Sequence, residues 1–100
     1  MAVREISIET YLRDQVKAEG GLCVKLNPAG LVGIPDRLVV LPGGWIAFCE
    51  VKKPKGGVIG RVQQWWRAEL MRLGCRHTYV FDRADVDVLI QVWRRHGTDR

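Results

Sequence analysis

The chain has 100 residues, of which 47% are apolar. That suits one small folded domain and excludes an intrinsically disordered polymer. Lysine and arginine outnumber aspartate and glutamate by 16 to 11, a net charge of +5 that favours nucleic acid or an anionic membrane surface as partner. No apolar run approaches the roughly 20 residues that cross a bilayer, and the charged, helix-patterned start is unlike a secretory signal.

The first element is a helix. Ile8, Tyr11, Leu12 and Val16 recur at helical spacing, Ser7 stands where a cap belongs, and Gly20-Gly21 ends the run. Leu22 to Leu26 reads as a short strand, and residues 27–35 as a loop punctuated by Pro28, Gly30, Gly33 and Pro35. Arg37 to Leu41, the turn Pro42-Gly43-Gly44 and Trp45 to Lys52 form a hairpin. Its second strand is apolar on both faces, which predicts a central strand covered by helices on both sides. A basic, glycine-rich loop follows from Lys53 to Gly60. Val62, Trp65, Trp66, Leu70 and Leu73 give a second helix its apolar stripe, with both tryptophans expected in the core, and Gly74 stops it. Arg76 to Phe81 is a fourth strand. Asp82 caps a last helix carrying Val86, Leu89, Ile90 and Trp93. The domain is expected to span 1–93, with 94–100 a polar, frayed C-terminal tail. Cys23, Cys49 and Cys75 stand far apart with no Cys-x-x-Cys pair. That argues against a disulfide framework or a zinc site and for buried thiols in a reducing cytoplasm.

The chemistry concentrates in two places. Asp36 follows Pro35 at the start of one hairpin strand, and Glu50-Val51-Lys52 ends the other. Side chains alternate along a strand, so Glu50 and Lys52 share the Ile46/Phe48 face. Charges at the end of a buried strand are costly unless they serve each other or a ligand. Two carboxylates hold a hard divalent cation, and a lysine beside them suits metal-assisted phosphodiester cleavage. The alternative is a Glu50–Lys52 surface ion pair. His77 and His96 have no partner at useful spacing, and residues 53–57 are not a phosphate-binding P-loop.

The order α-β-β-β-α-β with Pro35-Asp36 and Glu50-Val51-Lys52 resembles the PD-(D/E)XK nuclease superfamily. Ile8-Glu9, Gly20-Gly21, the run from Gly30 through Gly33-Ile34-Pro35-Asp36-Arg37, Leu41-Pro42-Gly43-Gly44, Phe48-Cys49-Glu50-Val51-Lys52 and Gln63 are similar to its VRR-NUC branch, the virus-type replication-repair nuclease module. The likeness runs over about residues 4 to 90 and departs from many relatives at Arg61-Val62, where a Ser-Pro or similar pair precedes the glutamine.

The resemblance implies an α/β fold: a restriction-endonuclease-like PD-(D/E)XK core, α-β-β-β-α-β-α, with a central mixed sheet flanked by helices. It implies catalytic Asp36, Glu50, Lys52 and Gln63, and a Mg²⁺ site (Mn²⁺ substituting) built from Glu9, Asp36, Glu50 and the Val51 carbonyl, with Glu5 the alternative to Glu9. Lys53, Lys55 and Arg61 would contact DNA phosphates. The activity implied is that of a structure-selective DNA endonuclease resolving four-way Holliday junctions as a homodimer in the cytoplasm of a bacterium or phage-infected cell. A flap-nicking nuclease and a catalytically silent nucleic-acid-binding module are the competing readings. The exposed sides of the second and last helices are the expected dimer contacts.

Overall fold

The structure, a computed structural model, describes residues 7–52 and 57–98. Its elements are α1 (Ile8–Ala18), β1 (Leu22–Lys25), β2 (Arg37–Leu41), β3 (Trp45–Val51), α2 (Arg61–Arg72), β4 (Arg76–Val80) and α3 (Arg83–Thr98), in the order the sequence implied. Ser7 caps α1, its hydroxyl accepting the Thr10 N–H at 3.1 Å. At the other end Gly20 takes a φ of +87°, and the N–H groups of Gly20 and Gly21 donate to the Lys17 and Val16 carbonyls. This double closure turns the chain sharply into β1.

The sheet is mixed, in the order β1-β2-β3-β4. β1 and β2 pair antiparallel from Leu22–Val40 to Lys25–Arg37, and β2 and β3 from Arg37–Cys49 to Leu41–Trp45. β4 joins β3 in parallel after the α2 crossover, which sets Glu50 beside Tyr79.

The core lies on one face only. Trp45, Ala47 and Cys49 of β3 and Val39 and Leu41 of β2 are buried with Leu12 and Val16 of α1 and with Val86, Leu89 and Ile90 of α3. The cross-links agree: the Tyr11 hydroxyl donates to Asp87 at 2.7 Å, and the Trp93 indole N–H to the Pro42 carbonyl at 3.0 Å. Helices flank the sheet on both faces as expected, but the expectation that β3 is buried on both is corrected. α2 packs on β4 and leaves most of the second face open. Ile46 stays 44% exposed, and Leu22 and Val24 on the same face are exposed too.

Three further corrections follow. No residue of α2 is buried, and Trp65 is 57% exposed. Its ring meets Trp66 edge-on at 5.3 Å, while Trp66 is half-buried and fixed by its N–H to the Val32 carbonyl. The stripe is wider than the single strand beneath it. Residues 94–98 continue α3 instead of fraying, with Arg94 ion-paired to Glu19 across the helix interface. Of the three free thiols only Cys49 is buried; Cys23 is half-buried and Cys75 exposed.

Candidate active site

Asp36 precedes β2 by one residue, and continuing the Arg37–Cys49 register sets it opposite Glu50. Pro35 is buried and fixes the entry of the strand. Asp36 Oδ2 accepts the Val51 backbone N–H at 3.0 Å, so the first acid is pinned to the strand that carries the second. Glu50 is 3% exposed. Its Oε1 accepts from Gln63 Nε2 at 3.1 Å, and its Oε2 is buried without a hydrogen-bond partner.

Burial first, then the charge of Asp36 and a hydrogen bond with it, push Glu50 up to about 7, against a smaller pull downward from Lys52. Two carboxylates in a low-dielectric site resist ionising together. A buried carboxylate oxygen with no donor, beside a second acid, is the environment that a hard cation relieves. The Val51 carbonyl belongs to the same short segment. The donor set is all oxygen, which fits Mg²⁺ or Mn²⁺ in preference to zinc.

Gln63 occupies the third position of α2. Its Oε1 accepts the Gly60 N–H at 2.9 Å while its amide N–H₂ reaches Glu50. One side chain thus starts the helix and orients the acid. The neighbouring loop approaches closely: at Gly33, φ +80°, an added Cβ would stand 2.5 Å from Val62 Cγ1. Lys52 follows β3, its backbone N–H donating to the Val80 carbonyl at 2.8 Å, with its side chain half-buried on the Glu50 side.

The remaining expected residues fall elsewhere. Glu9 lies against Arg37, Oε2 to Nη2 3.5 Å, instead of beside Glu50. Asp36 and Arg37 are consecutive at the entry to β2 and point to opposite faces. Among the described residues no three His, Cys, Asp or Glu side chains converge. Arg61 is exposed at the start of α2. Lys53, Lys55 and Glu5 lie outside the described residues.

Two neighbours escaped the sequence reading. Arg67, one turn beyond Gln63, donates to His77 Nδ1 and to the His77 carbonyl, each at 3.1 Å, and its guanidinium lies 5.1 Å from the Tyr79 ring centroid. Burial and this cation hold His77 down at about 4, so it stays neutral and its Nδ1 accepts. Tyr79, beside Glu50, has a buried hydroxyl without a partner. The alternation His77, Tyr79, Phe81 was visible in the sequence, but nothing there set β4 in parallel register with β3.

No family model matches the chain. A curated protein of Acyrthosiphon pisum secondary endosymbiont phage 1, "Putative nuclease p44", is 48% identical over 52 residues, 52% of this chain; the chain spans 56% of that protein. A solved structure described as a VRR_NUC domain shares 35% sequence identity and superposes with a TM-score of 0.77, over 83% of this chain and 89% of its own. Identity at that level, sustained over most of both chains and on one fold, goes beyond a common architecture: the chain belongs to the VRR-NUC family, on a PD-(D/E)XK-like α/β core.

Proposed function

We propose that the chain is a metal-dependent, structure-selective DNA endonuclease that hydrolyses phosphodiester bonds, with four-way junctions as its substrate and a homodimer as its working form. The observation that carries this reading is the acid pair: Asp36 and Glu50 on adjoining strands, one carboxylate oxygen buried and unpaired, with Lys52 and Gln63 beside them. Asp36, Glu50 and the Val51 carbonyl would hold Mg²⁺, with Mn²⁺ able to substitute, and Glu9 would join them on leaving Arg37. Bound there, a divalent cation supplies positive charge to a phosphate oxygen and lowers the pKa of water.

The protein's own groups do the rest. Gln63 keeps the Glu50 carboxylate in plane. Lys52 orients the attacking water and offsets charge on the scissile phosphate. Arg61, with Lys53 and Lys55, contacts flanking phosphates without reading sequence. The phage protein named as a nuclease supports a DNA substrate. A junction presents two symmetry-related strands, which a two-fold dimer with two sites answers. The open apolar strip of Leu22, Val24, Leu38, Val40, Ile46 and Phe48 on the site's own face supports an association of this kind, in place of the helical contacts expected from sequence.

The test is a panel of labelled four-way junctions, flaps, duplexes and single strands with Mg²⁺, Mn²⁺ or EDTA, run beside Asp36→Asn, with light scattering for mass. Paired symmetric cuts in junctions, lost with EDTA and in the variant, are expected, together with a dimeric mass. Preferred nicking of flaps moves the assignment to the flap nuclease. Binding without any cutting makes the chain a silent module.

A further inference from the structure

The helix that orients the buried acid also carries an exposed ring. Gln63, on the inner side of α2, bonds Glu50 at 3.1 Å. Trp66 ties the same helix to the loop before Asp36, its N–H donating to the Val32 carbonyl at 3.0 Å, and Gly33 of that loop lies against Val62. Trp65 meets Trp66 edge-on at 5.3 Å and is 57% exposed, so it is braced by a fixed neighbour and open to solvent. Leu31, Val32 and Val62 around it are exposed as well, Val32 by 78%. Arg61, also exposed, stands four residues before Trp65 and shares its side of the helix.

A contiguous apolar patch of this kind marks a contact site, and its chemistry selects the occupant. A flat ring beside a cation suits a nucleobase whose phosphate the cation takes. The net charge of +5 and the continuity with the acid pair through Gln63 point the same way. Inside a continuous duplex each base pair is stacked on both sides and offers no face to a ring. At a branch point the last base pair of an arm has lost one neighbour. We propose that Trp65 is the residue that recognises the branch, its ring stacking on the base face laid bare there while Arg61 holds the adjoining phosphate. The proposal rests on the DNA reading above and deepens it. Trp65 lies two residues past Gln63 and on the other side of the helix, so ring and acids stand about 10 Å apart, close enough for one strand to meet both.

The experiment measures binding by fluorescence anisotropy in EDTA, with a labelled four-way junction and a continuous duplex of the same sequence. The proteins are the unaltered chain, Trp65→Leu and Trp65→Tyr, each with its thermal melt. Leucine keeps an apolar side chain without a π face, and tyrosine restores the face. Trp65→Leu is expected to bind the junction about 10-fold more weakly and the duplex within about 2-fold of the unaltered chain, and Trp65→Tyr to recover most of the loss. A fluorescent base analogue at the branch point should change its emission when the unaltered chain binds, a readout that needs no variant. Unchanged emission, equal losses on both DNAs, no loss on either, or no recovery with tyrosine overturns the role of Trp65. An unaltered chain that binds junction and duplex equally overturns it too and leaves a nuclease without a preference for branches. No DNA binding by the unaltered chain overturns the DNA reading and this proposal together.

Discussion

On the side of the sheet that faces α1 and α3, Leu12, Val16, Val39, Ala47, Cys49, Val80 and Val86 are each exposed by 1% or less. On the side that faces α2, β3 and β4 carry Ile46, Phe48, Glu50 and Tyr79, of which Glu50 alone is buried. The first side is mainly apolar area, tied at its rim by the Tyr11–Asp87, Glu19–Arg94 and Glu9–Arg37 contacts. The second holds the acid pair, the neutral histidine and a buried carboxylate oxygen with no donor. One sheet thus separates what folds the chain from what gives it chemistry. Damage to the two sides is expected to show in different measurements.

The sharpest break comes at Lys52. Its half-buried side chain belongs to the open side, and no core contact depends on it. Lys52→Ala is expected to lower single-turnover cleavage of labelled DNA by about 10²–10⁴-fold. Its melting should stay within about 0.5 kcal/mol of the parent. Full cleavage by the variant would remove the lysine from the reaction; a collapse in stability would place it in the fold instead.

The two sides also differ in how far they could be read before the fold was known. α1, the hairpin and the pairing of Asp36 with Glu50 follow from local signals: a capping serine, glycines that close a helix, and alternation along two adjacent strands. Gln63 was placed on the inner side of its helix by periodicity, and its bond to Glu50 agrees. What stayed hidden depends on angles between distant elements. The apolar stripe of α2 gave no sign that it would lie mainly over β4 and leave most of β2 and β3 open, so Trp65 and Ile46 were expected inside and are outside. The Glu9–Arg37 contact joins a helix to the opposite face of a strand, and the Glu50–Tyr79 pairing needs the parallel register of β4. Neither is encoded by spacing along one element.

Equal truncations on the two sides sharpen the contrast. Leu12→Ala empties volume in a face with no solvent access and is expected to cost about 2–5 kcal/mol in urea unfolding. Ile46→Ala, on the inner strand β3 but 44% exposed, is expected to cost less than about 1 kcal/mol. A cost for Ile46→Ala near that of Leu12→Ala, growing with protein concentration, would mean that a second copy covers the open strip in solution.

A last effect, spread over a range of pH, concerns the charge of the acid pair. Glu50 titrates at about 7 in the folded chain instead of the ordinary 4.5. Between those values the folded state holds a proton that the unfolded chain has released, so stability falls as pH rises from about 4.5 to about 7 and is flat beyond. Each unit of displacement is worth about 1.4 kcal/mol, and a loss on the order of 1–3 kcal/mol across this window is expected. Glu50→Gln keeps the size and polarity of the side chain but cannot ionise, so its melting in EDTA should lack this decline and exceed the parent's at pH 8. Added Mg²⁺ should then raise the parent's melting temperature at pH 8 more than at pH 5, because the carboxylate must lose its proton to bind, and should leave Glu50→Gln nearly unmoved. A decline of the same size in both proteins would assign it to other groups and remove the electrostatic argument for a cation between the acids.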